Sequence, residues 1–174
     1  MSLASKSSAE FRQALAQFAT GVAVVTTRDA DGNAAGITVN SFCSLSIEPP
    51  LILWSLATGA NSARAFRDCE RFRVQVLNAG QLDVARQCAT RGADKFAHGE
   101  WHDGRHGLPS LDGCVAWFEC ENHRQYDEGD HVIIVGRVTA FGGAGGTPLI
   151  FHAGRYVTDL AESPLPRELR AGPR

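Results

Sequence analysis

The stretch from Gly36 to Pro50, GITVNSFCSLSIEPP, crowds hydrogen-bonding side chains into a strand end and the turn after it. The hydroxyls and amide of Thr38, Asn40, Ser41, Ser44 and Ser46, with nearby backbone N–H groups, suit the edge of a flat polar ligand. The same residue types also satisfy their own backbone in turns, and on composition the two readings stand level. A second cluster, Thr58, Gly59, Ala60, Asn61 and Ser62, immediately precedes a short helical pattern. Free N–H groups at a helix start attract phosphate, and plain N-capping explains the same residues equally well. Gly129-Asp130-His131 opens a strand pattern in which His131, Ile133 and Val135 share a face. The imidazole then sits at the rim of whatever that face lines, with a surface histidine as the default reading.

Other chemistries find little support. His98, His102 and His106 recur every fourth residue, but Gly99, Gly104 and Gly107 argue against the helix that would stack them. A solvated loop is the better reading than a metal site, and no HExxH or Cys/His zinc pattern occurs. The glycine run Gly142 to Pro148 lacks the Lys-Ser/Thr of a phosphate-binding loop and reads as a connection. No GxSxG motif is present. Cys43, between Phe42 and Ser44, reads as a half-buried filler rather than a reactive thiol.

The elements that must carry these residues follow from periodicity. Phe11, Ala14, Leu15 and Phe18 mark one face of a helix starting near Ser8, with Glu10 in its first turn. Val22 to Thr27 is almost continuously apolar, as in a strand covered on both sides. The turn residues Asp29 to Asn33 link it to a second strand over Gly36 to Phe42. Pro49 and Pro50 cannot donate to a ladder, and Leu51 to Leu56 follows as a third strand. Short helices are expected over Asn61 to Phe66 and Gln81 to Ala89, with a strand over Phe72 to Leu77 between them. Arg91 to Leu111 reads as a long surface excursion. Cys114 to Tyr126 and His131 to Phe141 form a second hairpin, and Leu149 to Phe151 is a last short strand. Hairpin-linked strands with three small helices predict an antiparallel barrel with helices outside, not a doubly wound sheet.

Composition bounds the rest. With 174 residues, one core can bury roughly 70% of the unfolded chain's surface. Lys plus Arg total 17 against 19 for Asp plus Glu, a net charge of −2 that gives no attraction to nucleic acid. No apolar run reaches the ~20 residues of a membrane span, and the first ten residues lack a signal-peptide core. Five cysteines without CxxC spacing argue for a reduced, cytoplasmic protein. The expected organisation is a flexible leader over 1–10, one domain over 11–160 and a tail over 161–174.

Taken together, FATGVAVVT (Phe18 to Thr26), GITVNSFCSLSIEPP, FRVQVLN (Phe72 to Asn78), Lys95-Phe96, EGDHVIIVGRV (Glu128 to Val138) and PLIFHAGRY (Pro148 to Tyr156) resemble the short flavin reductase family. Its members are the reductase partners of two-component flavin-dependent monooxygenases. The resemblance spans Phe11 to Tyr156 and implies a mainly β fold, an antiparallel Greek-key split β-barrel with a few short peripheral helices. It also implies a homodimer with flavin near the subunit interface.

Carried over residue by residue, the resemblance has Ile37, Thr38, Val39, Asn40, Ser41 and Ser44 lining the isoalloxazine, largely through backbone groups. Trp54, Ser55 and Leu56 would approach the same ring. Thr58, Gly59, Ala60, Asn61, Ser62 and Arg91 would hold the phosphate, while His131 and Tyr156 would border a nicotinamide pocket. The implied activity is hydride transfer from NADH or NADPH to FMN, with FAD possible, supplying a partner monooxygenase through diffusing reduced flavin. Two alternatives stay open: a resident flavin serving another acceptor such as a corrinoid, ferric complex or quinone, and a non-catalytic flavin-binding module.

Overall fold

The computed structural model describes residues 7–159, so the expected tail and the first six residues of the expected leader lie outside it. Helix α1 covers Ser8–Leu15. Its N-cap is Ser7, from which Glu10 stands three residues on and completes a reciprocal capping box. The Ser7 N–H donates to the Glu10 carboxylate at 2.7 Å, and the Glu10 N–H donates to Ser7 Oγ at 3.3 Å. The expected leader therefore contains the first turn of a helix.

After α1 come strands β1 (Thr20–Gly21), β2 (Ala23–Arg28), β3 (Ala34–Val39), β4 (Cys43–Ser46) and β5 (Leu51–Ala57). Then follow α2 (Ala63–Asp68), β6 (Arg71–Val76), α3 (Leu82–Ala89), β7 (Trp101–Asp103) and β8 (Pro109–Leu111). The chain continues through β9 (Ala116–Glu128), β10 (His131–Gly142), β11 (Ile150–His152) and β12 (Arg155–Val157). Strand β4 replaces the expected turn, and β12 follows the strand expected to be the last, over Leu149 to Phe151.

The main sheet has seven strands in the order β3-β2-β6-β9-β10-β5-β4, every pair antiparallel. Its two edge strands, β3 and β4, are consecutive in sequence. Laid flat, six strand spacings would separate those edges by about 29 Å. The four peptide units from Val39 to Cys43 span at most about 14 Å. The sheet must curl, and it does so as a split barrel. Ser41 pins the seam: the Ser55 N–H donates to Ser41 Oγ at 2.9 Å. Gly136, beside a register shift in β10, leaves room for the barrel core, since a Cβ there would lie 2.6 Å from Phe72 Cζ.

Alternation along β5 sends Ile52, Trp54 and Leu56 into the barrel and leaves Leu51, Leu53 and Ser55 on the other face. Trp54 is fully buried, edge-on to Phe66 at 5.1 Å and to Phe72 at 5.8 Å between ring centroids. A second core lies outside the barrel, where Val22, Val24 and Leu77 meet Val84, Ala85 and Cys88 around α3. Two cores flanking one sheet explain why β2 is apolar on both faces.

The excursion from Arg91 to Leu111 is only partly a surface loop. β8 is buried along its length, and the Thr26 hydroxyl donates to the Pro109 carbonyl at 2.7 Å. Arg28 holds the loop from the hairpin side, donating to the Gly107 carbonyl and the Asp103 carboxylate.

Candidate functional site

Two connected clefts run along β3. The smaller, about 180 Å³, is lined by Val22, Thr38, Val39, Asn40, Ala89, Phe151 and Tyr156. The larger, about 360 Å³, is floored by Ala34, Ala35, Gly36 and Ile37 and walled by Gly59, Ala60, Asn61, Ser62 and Arg91. Ala89, at the end of α3, borders both. Because β3 pairs only with β2, every other N–H and C=O along it points away from the sheet. That leaves a backbone edge open to a flat ligand lying beside Ile37 to Asn40.

Hydrogen bonding separates the groups that are free from those already engaged. The Thr38 hydroxyl donates to the Ala85 carbonyl at 2.7 Å, tying β3 to α3. Ser41 Oγ is occupied by the seam at Ser55. Thr58 gives both its N–H, at 3.0 Å, and its hydroxyl, at 3.1 Å, to the Asp130 carbonyl. Among the described residues, the backbone N–H groups of Gly59, Asn61 and Ser62 meet no acceptor, and Ser62 makes no side-chain cap on α2. Arg91 reaches across the cleft, its Nε donating to Asn61 Oδ1 at 3.1 Å. Three N–H groups without a protein acceptor, the Ser62 hydroxyl and the Arg91 guanidinium belong to residues lining one cleft, a donor set, or cradle, that suits an anion.

Tyr156, on β12, joins the smaller cleft and meets the Phe151 ring at 5.3 Å; burial pushes its phenol pKa up. Asn40, exposed at the end of β3, lines the same cleft. Ser44 is exposed on β4, opposite Ile52, and lines neither cleft.

Two expectations need correcting. The side chains of Trp54 and Leu56 cannot approach a ligand in these clefts, because strand alternation buries both inside the barrel. Only Ser55, on the outward face of β5, remains near the seam. Thr58 cannot offer its N–H or hydroxyl hydrogen to a phosphate while both go to Asp130; it positions the loop instead.

His131 begins β10 opposite Ala57 and is not among the residues lining either cleft. Its side chain is about half exposed, and Nδ1 stands 2.7 Å from Asp130 Oδ1. That bond holds the Asp130 carboxyl below the usual carboxylate range. Thr58 bonds the Asp130 carbonyl, so the His131 turn and the anion cradle are fastened to one another.

Ala34, Ala35 and Ala89 line the clefts without having been singled out from sequence, since lack of bulk was their only signal. His102 contacts Asp112 at 3.5 Å, while His106 sits in a tight turn with φ 59°, so the three loop histidines do not stack. Among the described residues, no cluster of His, Cys, Asp and Glu could hold a metal ion.

Comparison with known proteins finds relatives over most of the chain. A probable flavin reductase of Rhizobium meliloti is 44% identical over 147 residues, covering 84% of this chain and 47% of its own. The chain thus spans about half the length of that relative. The FMN reductase (NADH) SmoA of Agrobacterium fabrum is 41% identical over 151 residues, covering 87% of this chain and 86% of its own. The solved styrene monooxygenase flavin reductase of Pseudomonas putida superimposes with a TM-score of 0.77 at 37% identity, covering 90% of this chain and 99% of that one. The family model for the flavin reductase like domain matches residues 15–158, and the chain belongs to that family.

Proposed function

We propose that the chain is an NAD(P)H:flavin oxidoreductase that reduces FMN or FAD and supplies the reduced flavin to a separate monooxygenase. The observation that carries the reading is that Arg91 and the residues with unbonded N–H groups, Gly59, Asn61 and Ser62, line one cleft beside the open edge of β3. A phosphate takes the cradle, and the isoalloxazine lies along Ile37, Thr38, Val39 and Asn40 toward Tyr156. The names of the Agrobacterium and Pseudomonas relatives agree with both halves of the proposal.

Once bound, flavin and nicotinamide supply the chemistry, a hydride passing from nicotinamide C4 to flavin N5. Neither centre needs a nucleophile from the protein, which accounts for the missing triad. The chain's own work is to hold the two rings at roughly 3–3.5 Å and exclude water. The β3 edge orients the flavin, Arg91 anchors its phosphate, and the cleft walls at Ala89 and Tyr156 cover it. His131, steadied by Asp130, takes the nicotinamide side as a positioning group rather than an obligatory base.

The protein is read as a cytoplasmic homodimer. Its five cysteines are all free, as a reducing compartment favours, and no helix among the described residues is long and apolar enough to cross a membrane. Phe11, Leu15 and Phe18 on and beside α1, and Ile47 and Phe141 at the β4–β10 end, are exposed by 57–87%. Apolar surface of this kind suits a second copy.

The test is anaerobic oxidation of NADH and NADPH with excess FMN or FAD, followed in the nicotinamide and flavin absorption bands. Continuing bleaching of excess flavin is expected. Bleaching of a single bound equivalent would favour a resident flavin with another acceptor, and bound flavin that neither nucleotide bleaches would favour a non-catalytic module.

A further inference from the structure

We propose that Thr58 makes the two halves of the site cooperative: a flavin phosphate in the cradle raises the affinity for the nicotinamide nucleotide on the His131 side, and the reverse. The proposal rests on the flavin reading above and adds to it a coupling through one side chain.

The cradle and the His131 turn leave the same end of the β5–β10 ladder. Ala57, the last residue of β5, stands opposite His131, the first of β10. Beyond that pair each strand runs into a segment with little packed around it. On the β5 side, Thr58, Gly59 and Asn61 are exposed, and a Cβ at Gly59 would meet nothing within 4 Å. On the β10 side, Gly129 and Asp130 are exposed, and a Cβ at Gly129 would also meet nothing within 4 Å.

Thr58 ties these two segments to each other. Its N–H and its hydroxyl both donate to the Asp130 carbonyl, at 3.0 and 3.1 Å. The carboxylate of that same Asp130 lies 2.7 Å from His131 Nδ1. On the other side of Thr58, Ala60 packs on the barrel core, and its N–H donates to the Ala57 carbonyl at 3.0 Å. Gly59, Asn61 and Ser62 between and beyond these anchors keep their N–H groups for an anion. The route from phosphate donors to imidazole therefore runs through two residues, Thr58 and Asp130.

Segments with few packed neighbours are the ones that shift most readily. A phosphate held by the cradle N–H groups fixes the 58–62 segment, and the Thr58 bonds pass that order to the Asp130 turn. The nicotinamide then meets an imidazole already steadied and gives up less conformational freedom on binding. Linkage makes the reverse effect equal, so the nicotinamide nucleotide tightens a flavin that carries a phosphate. The backbone N–H would reach Asp130 from any residue but proline; the hydroxyl is what threonine adds. Thr58 is thus a positioning residue that acts through Asp130.

The test is fluorescence titration of the intact protein with FMN and with riboflavin, which has no phosphate. Each is measured without and with a saturating, unreactive tetrahydro analogue of NADH or NADPH. In wild type the analogue should tighten FMN about fivefold and leave riboflavin within about twofold. Thr58→Val keeps the shape and the backbone N–H but loses the hydroxyl; its FMN response should shrink to within about twofold of none. Thr58→Ser restores the hydroxyl and should restore the response. Equal tightening of FMN and riboflavin in wild type, or of neither, overturns the coupling and leaves the flavin site standing. A full response in Thr58→Val overturns the assignment to Thr58. Failure of wild type to bind either flavin overturns the flavin reading itself.

Discussion

Arg91 and Arg73 are the same residue put to opposite uses. Arg73, on β6, has a side chain only 9% exposed; its Nη1 donates to Glu119 at 2.6 Å, and its guanidinium lies 4.0 Å over the Trp117 ring. Burial pulls its pKa down, opposed by Glu119. Arg91 is exposed and reaches over a cleft to an amide, with no carboxylate among the described residues. Where the charge is walled in, the protein supplies its own counter-ion and an aromatic face. Where it borders the clefts, polar groups are left unanswered. The contrast distinguishes a charge the fold keeps for itself from one that, on the proposed function, serves a ligand.

The largest effect comes from the walled-in side. Arg73→Ala leaves Glu119, 3% exposed, buried without its partner. A loss of about 3–5 kcal/mol in unfolding free energy is expected, measured by denaturant titration. Glu119 Oε2 and Arg73 Nε already lack partners among the described residues, so the pair is costly even when intact. Replacing both, Arg73→Met with Glu119→Leu, should restore stability to within about 1–2 kcal/mol of wild type. If the single substitution costs less than the double, the pair does not behave as a buried couple.

Arg91→Ala sharpens the comparison from the other side. Stability should stay within about 0.5 kcal/mol, as for an exposed side chain. FMN and FAD affinities should fall about tenfold, and riboflavin, which has no phosphate, should bind as before. Fluorescence titration of the three flavins checks it. A parallel loss of riboflavin would assign Arg91 to the ring rather than the phosphate.

What the sequence makes legible follows the same line. The barrel interior reads from alternation along Leu51 to Ala57 and Phe72 to Leu77, and the two-sided burial of β2 reads from an almost continuously apolar run. Alternation also holds Trp54 and Leu56 away from the clefts, a local rule that outweighs proximity of their strand to the expected site. Arg73 and Glu119 are illegible, because charged residues alternating with apolar ones signal a solvated face. Here the 142–146 connection packs against that face instead: a Cβ at Gly142 would fall 2.8 Å from Trp117 Cζ2, the ring over which Arg73 lies. The cradle is half legible. Thr58 to Ser62 and Arg91 stand out by type, but which N–H groups are spent and which are free depends on the Asp130 carbonyl, contributed from 72 residues away.

The smallest effect belongs to the turn that joins these regions. His131 bonds the Asp130 carboxylate at 2.7 Å in an exposed setting, so its removal should barely move the melting temperature. Because the bond lowers the Asp130 pKa from 3.8, the interaction is fully present above that value and is lost as pH falls through the lowered folded value. In His131→Ala the Asp130 titration, followed by carboxyl-carbon NMR, should move back up toward 3.8. On the proposed role, which puts His131 on the nicotinamide side of the site, the same substitution should raise the nicotinamide KM about fivefold while FMN affinity holds within about twofold. An unchanged KM and turnover would refute the positioning role, and an equal loss of FMN would move His131 to the flavin side of the site. Either result would redraw the boundary between the charge the fold keeps and the charge it offers, because Thr58 fastens that turn to the cradle through the same residue, Asp130.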